Sequence, residues 1–313
     1  MRALKPGYRC LAGLFFIFLI SACTTPKQSI GLRESSPDIP VFAELTSTPF
    51  YPQREYQCGP AALATVINFS ETVITPDLLI PQVFIPKLKG TLQMEMLAAS
   101  RRLNRMAIEQ DGKLESILKE VANGTPVLVM QNLGLKSYPF WHYAVVVGYD
   151  LDKQEIILRS GEIKRLVRSF SVFERTWQRS KFWSVVIVPP GVLPVTASAE
   201  KYSTAAIAFE LSSTLKLSLL VYQKGIQRWP DNFLLQMGFG NISYALQNYA
   251  AAETAFTTAA TIKPLKAEAW NNLAYALVKQ GKKKMSLNAV NKAIKIDPEN
   301  EKFRNSLDEI KNM

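Results

Sequence analysis

Hydrophobic and polar positions along the 313-residue chain fall into three regimes. The first is an almost unbroken apolar run from Cys10 to Ala22. It is too short for a membrane-spanning helix, which needs about 20 residues, and has the length of a signal-peptide core. The second regime, residues 47–190, mixes both periodicities. An alanine-rich stretch from Pro60 predicts a helix, Thr75-Pro76 opens another, and Gly90 to Arg102 carries apolar residues at helical spacing, with Met94, Met96 and Leu97 read as core. Leu114 to Val121 predicts a further helix ended by Asn123-Gly124. Strand-like runs follow at 125–130, 142–149, 155–159 and 183–188. Helices first and an antiparallel sheet afterwards predict an α+β domain.

The third regime starts beyond Val188-Pro189-Pro190-Gly191 and Pro194, which mark a linker at 191–198. Strand signals stop there. Pro230, Pro264 and Pro298 recur at intervals of 34 residues, the tetratricopeptide period. Gly240, Ala252, Phe256 and Ala259 fall where Ala274, Ser286, Val290 and Ala293 fall one period later, and Trp270 takes the aromatic place in a first helix. Small residues there let paired helices approach closely. Residues 199–313 are therefore expected to form an all-α repeat domain, degenerate at its first repeat and closed by a capping helix from Glu299 to Met313. Such arrays bind peptides or partner proteins.

The start of the chain adds an address. Arg2, Lys5 and Arg9 precede the apolar run, which ends in Ile20-Ser21-Ala22-Cys23. That ending resembles the bacterial lipobox. It implies a signal peptide over 1–22, removal before Cys23, lipid on Cys23, and an envelope lipoprotein anchored in the membrane. Thr24 stands where inner-membrane lipoproteins usually have aspartate, so the expected site is the outer membrane, facing the periplasm. Residues 23–46 read as a tether. Loss of three basic residues with the signal would lower the net charge from +11 to +8. The remaining cations are scattered without interleaved aromatics, so nucleic-acid binding is not expected.

Of three cysteines, Cys10 lies in the signal and Cys23 carries the anchor, which leaves Cys58 unpaired. Cys58-Gly59-Pro60-Ala61-Ala62 places it at the N-terminus of the alanine-rich helix. Helix N–H groups and dipole there would lower the thiol pKa, and Gly59 would leave room for a substrate backbone. Gln53 lies upstream, where it could donate to an oxyanion. His142 is the only histidine, so any cysteine–histidine chemistry must use it as base. One histidine and one free cysteine hold no metal, and no cofactor is expected.

Gln53, the Gln57-Cys58-Gly59-Pro60-Ala61-Ala62 segment and His142 followed by Val145-Val146-Val147-Gly148-Tyr149-Asp150 resemble the bacteriocin-processing, double-glycine-leader cysteine peptidases. The chain looks most like their stand-alone lipoprotein branch with tetratricopeptide repeats, over about residues 47–188. The resemblance implies a papain-like fold, peptidase activity at Cys58 and His142, an oxyanion role for Gln53, and a third polar residue, usually aspartate, on the strand after the histidine. Gln53 stands five residues before Cys58, where the family more often has six, and the expected aspartate is missing from Ile156-Ile157-Leu158-Arg159-Ser160-Gly161-Glu162. Asp150 is eight residues from His142, some 26 Å along a strand, and is excluded. Ser160 and Glu162 share a face of the return strand and are the candidates for orienting the ring. The family's transporter-fused members cut after Gly-Gly, but this chain has no transporter motif and that substrate is not carried over. The reading is a peptidase whose repeats recruit a peptide or protein, with an inactive peptidase-fold scaffold as alternative and other papain-like acyl transfer as the weakest reading.

Overall fold

The computed structural model describes residues 25–70 and 73–313. The signal peptide and Cys23 lie outside the described residues. The chain begins with α1 (Lys27–Glu34) and β1 (Phe42–Glu44). Then come α2 (Cys58–Phe69), α3 (Pro76–Val83), a short hairpin of β2 (Phe84–Ile85) and β3 (Gly90–Thr91), and α4 (Gln93–Arg102). The sheet region alternates β4 (Met106–Glu109), α5 (Leu114–Ala122), β5 (Val127–Asn132), β6 (Trp141–Asp150), β7 (Glu155–Ser160), β8 (Ile163–Ser169), α6 (Phe170–Gln178) and β9 (Ser184–Val188).

The main sheet runs β4-β9-β5-β6-β7-β8, all antiparallel, and β1 also pairs with β6. β5 and β6 are buried on both faces, which is why they read as continuous Val- and Leu-rich runs. Leu128, Tyr143 and Val145 meet α2 residues such as Leu63 and Ile67 on one side. Val129, Ala144 and Val146 meet Ile117, Phe170 and Phe173 of α5 and α6 on the other. This is an α+β domain, and seven helices follow it.

These are α7 (Ala199–Glu210), α8 (Leu215–Arg228), α9 (Phe233–Ala245), α10 (Tyr249–Ile262), α11 (Ala267–Val278), α12 (Lys283–Ile296) and α13 (Glu301–Asn312). The helices break around Pro230, Pro264 and Pro298. Small residues do set the pairing. A methyl group built on Gly238 would lie 2.2 Å from Cε1 of Tyr222. That ring is buried, and its hydroxyl donates to Glu210 at 2.5 Å, so it cannot swing aside. Gly238→Ala should lower unfolding stability by about 1–3 kcal/mol through overpacking, although an alanine inside a helix is otherwise favoured. A denaturant titration checks this, and an unchanged midpoint would contradict the packing.

Several expectations are corrected. Residues 27–46 are not a free tether. The Glu174 carboxylate, 1% exposed, accepts from the amides of Gln28 (2.9 Å) and Ser29 (2.7 Å) and from Ser29 Oγ (2.5 Å), and a buried carboxylate requires such partners. Gln28 Oε1 also accepts from the Leu114 amide at the start of α5. The 191–198 segment is docked rather than loose: Glu120 accepts from the Thr196 amide at 2.8 Å, and Arg228 donates to the Pro194 and Val195 carbonyls. One core runs from Met106 and Ile108 into Tyr202, Ala206 and Phe209, so the repeats are packed onto the first domain. The repeat domain is therefore not expected to fold alone from residue 195. Met94 is 76% exposed, because the helix starts at Gln93 and turns that side outward, while Met96 is core.

Candidate active site

Cys58 is the first residue of α2. Pro60 suits the opening turn, since its missing N–H would have no helical partner there. Gln57 supplies no side-chain cap, so the first amides of the helix stay available. The Cys58 thiol is drawn toward the thiolate by backbone N–H groups of Tyr143, Gly59 and Cys58 itself, but burial outweighs them and pushes its pKa up. The expectation of a low-pKa nucleophile is thus corrected.

The Tyr143 amide that faces the sulfur belongs to the residue after His142 on β6. Gln53 reaches the same point. Its Nε2 donates to the Tyr143 carbonyl at 3.4 Å, and its amide donates to the Gly161 carbonyl at 3.1 Å. His142 is buried, and its Nε2 lies 2.8 Å from Ser160 Oγ. That contact commits Nε2, and among the described residues Nδ1 makes no hydrogen bond. Among the described residues no hydrogen bond yet joins ring and sulfur. Apo sites often tighten only on binding. Burial pushes the His142 pKa down to about 4, so the ring is neutral at pH 7. A serine hydroxyl offers an imidazolium no counter-charge, in contrast to the carboxylate it replaces. The resting pair is a neutral thiol and a neutral imidazole.

The structure brings Ser160 to His142 and leaves Glu162 in the turn after β7, so Glu162 is removed as an orienting candidate. The strand ends at Ser160, which is why the two do not share a face there. Asp150 sits at the far end of β6, paired with Lys153. Gly59 does not make room for substrate. A methyl on it would meet Thr91 Oγ1 at 2.4 Å, so β3 fills that side. Thr91 was invisible in the sequence because Gly90–Arg102 read as one helix. Its carbonyl accepts from the Tyr143 hydroxyl at 3.1 Å, while its own Oγ1 is buried without a partner. Gly90 was the signal available for a break in that helix. Among the described residues no group of histidine, cysteine and carboxylates could hold a metal ion.

Residues 45–185 match the Peptidase_C39 like family, and residues 267–300 match the tetratricopeptide repeat. The chain thus carries a C39-like peptidase fold followed by a repeat region. No curated protein matches. Among solved structures, a C39-like peptidase from Bacillus anthracis is 15% identical, covering 47% of this chain and 97% of that one, with a TM-score of 0.40. The first repeat unit of Spaghetti bound to an HSP90 peptide is 18% identical, covering 36% and 90%, at 0.35. The Sgt2 repeat domain of Aspergillus fumigatus is 16% identical, covering 36% and 77%, at 0.34.

Proposed function

We propose that the protein is a cysteine peptidase of the bacterial envelope, anchored through lipid on Cys23, whose repeats recruit the substrate or a partner protein. The observation that carries the chemistry is the approach of Cys58 and Gln53 to the backbone of Tyr143, the residue after His142, with Ser160 bonded to the His142 ring. For the ring to act as base, Nε2 carries the proton and donates to Ser160, and Nδ1 is bare. As the sulfur attacks the peptide carbonyl, Nδ1 takes the thiol proton. The oxyanion is met by Gln53 Nε2 and the Cys58 amide. Collapse expels the amine, which leaves with the proton from His142. Water, deprotonated by the same nitrogen, then cleaves the thioester and frees Cys58.

A second reading is a peptidase fold kept as a scaffold for an envelope assembly. The serine in place of a carboxylate and the raised thiol pKa favour it. The deciding experiment digests a peptide library with the mature chain and reads new termini by mass spectrometry. Cleavage by wild type that Cys58→Ala lacks supports the peptidase, and no cleavage leaves the scaffold. On the first reading Ser160→Ala should lower kcat about tenfold with KM nearly unchanged, because an orienting hydroxyl is lost while the base remains. Glu162→Gln should change neither constant. Equal effects from both would remove Ser160 from its role.

A further inference from the structure

Beyond Asn132, strands β5 and β6 continue as a narrow hairpin, with the Leu133 amide donating to Phe140 at 2.9 Å and the Leu135 amide to Tyr138 at 3.1 Å. The outer surface of this hairpin is apolar. Leu135 is 68% exposed, Tyr138 81%, Phe140 59%, and Leu133 and Trp141 are nearly half exposed. Lys136 is the only charged residue from 133 to 141. Scattered exposed apolar residues are ordinary, but five on one hairpin mark a contact surface. The shape is held, not floppy. Asn132 Oδ1 accepts from the Gly134 and Phe140 amides at 2.9 Å, its Nδ2 donates to the Leu135 carbonyl, and Arg179 donates to the Asn132 and Gly134 carbonyls.

The place of this hairpin identifies its partner. Glu174 of α6 grips the first turn of α1, and Arg179, just past the end of the same helix, grips the root of the hairpin. They lie five positions apart, about 7.5 Å along the axis. The first residue bonded to the rest of the domain is Gln28, whose amide donates to Glu174. Cys23 is five residues earlier, at most about 18 Å of chain. A lipid on Cys23 would therefore hold the α1–α6 side of the domain against the bilayer, and four residues of hairpin reach about 13 Å from its root. Leucines and aromatic rings flanking a single lysine match the chemistry of the headgroup–acyl boundary.

We propose that the β5–β6 hairpin docks into the lipid surface to which Cys23 tethers the chain, an inference that rests on the lipid anchor. Trp141 directly precedes His142, so the docked hairpin holds the start of β6 near the bilayer surface. The substrate is then a peptide segment within reach of that surface.

The test reconstitutes the lipidated full chain in phosphatidylethanolamine–phosphatidylglycerol vesicles. A nitroxide is placed at Leu135→Cys or, as control, at Leu265→Cys, both exposed, in a Cys58→Ser background. Power saturation against oxygen and an aqueous nickel complex reads bilayer contact. The expected result is a several-fold rise in the oxygen-to-nickel accessibility ratio at position 135 on reconstitution, with no rise at 265. Mass spectrometry of the mature N-terminus separates the two failures. A chain without diacylglycerol on Cys23 overturns the anchor and this inference together. A lipidated chain whose probe at 135 stays aqueous overturns the docking alone. A probe already immobilised before vesicles are added, which would place a second copy there, overturns it too.

Discussion

Replacing His142 with alanine should lower peptide hydrolysis about a thousandfold at pH 7, within the range that a positioned general base supplies. The reasoning starts from the thiol. Burial raises the Cys58 pKa above its ordinary value despite the surrounding amides, so little thiolate exists at neutral pH. The chain has no other histidine to take the proton. The wild-type ring stays neutral down to about 4, so its rate should hold a broad plateau and fall only as pH drops through about 4. The variant depends on solvent to ionise the sulfur. Its rate should climb about tenfold per pH unit from 6 to 8, narrowing the gap in alkaline solution. Labelling of Cys58 by a vinyl-sulfone probe reads the same profile without a known substrate. Equal, parallel profiles for wild type and variant would mean that the ring does not activate the sulfur, and would favour the scaffold.

The parts of this site visible in the sequence were those set by local rules. Cys58 at a helix start follows from Pro60 and the alanines after it. His142 on a strand follows from the apolar run behind it, and Ser160 from the turn that returns the next strand. What stayed hidden depends on burial or on non-local pairing. The direction of the Cys58 shift requires knowing that desolvation exceeds the pull of the amides, and no spacing rule reports that balance. β8 escaped because Lys164, Arg165 and Arg168 interrupt its alternation. As an edge strand it is mostly exposed, and cations there discourage pairing with another chain. The 23–46 stretch looked like a tether because what holds its described part is non-local: the buried Glu174 carboxylate 145 residues from Ser29, and the pairing of β1 with β6.

The same proline signals that marked the linker concealed its docking. Pro189, Pro190 and Pro194 do interrupt secondary structure, but Thr196 then bonds to Glu120, and Ala197 is buried in the core that α7 completes. A partner bound by the repeats would thus be held at a fixed position relative to Cys58. That rigidity suits delivery of a substrate segment more than a flexible link would.

The folded state should lose stability in acid through His142 alone, by up to about 3 kcal/mol. The sign follows from the shift. The ordinary value is 6.5, and burial lowers it to about 4 in the folded chain. Between these values the unfolded chain binds a proton that the folded chain does not, so stability falls as pH drops from about 6.5 to about 4 and levels off below. Other groups titrate in this window. Burial raises the Glu120 pKa, which acts in the opposite direction and strengthens the fold as pH falls. The measurement is therefore a difference: urea titrations of wild type and His142→Gln at pH 7.5 and pH 4. Glutamine retains a polar group near Ser160 but cannot take up the proton. Wild type should lose about 3 kcal/mol more than the variant between the two values, with Glu120 and the remaining carboxylates cancelling in the subtraction. Parallel losses would show that the imidazole is not held neutral by burial. A larger loss in the variant would reverse the sign and mean that His142 is charged in the folded chain, paired with a Cys58 thiolate after all.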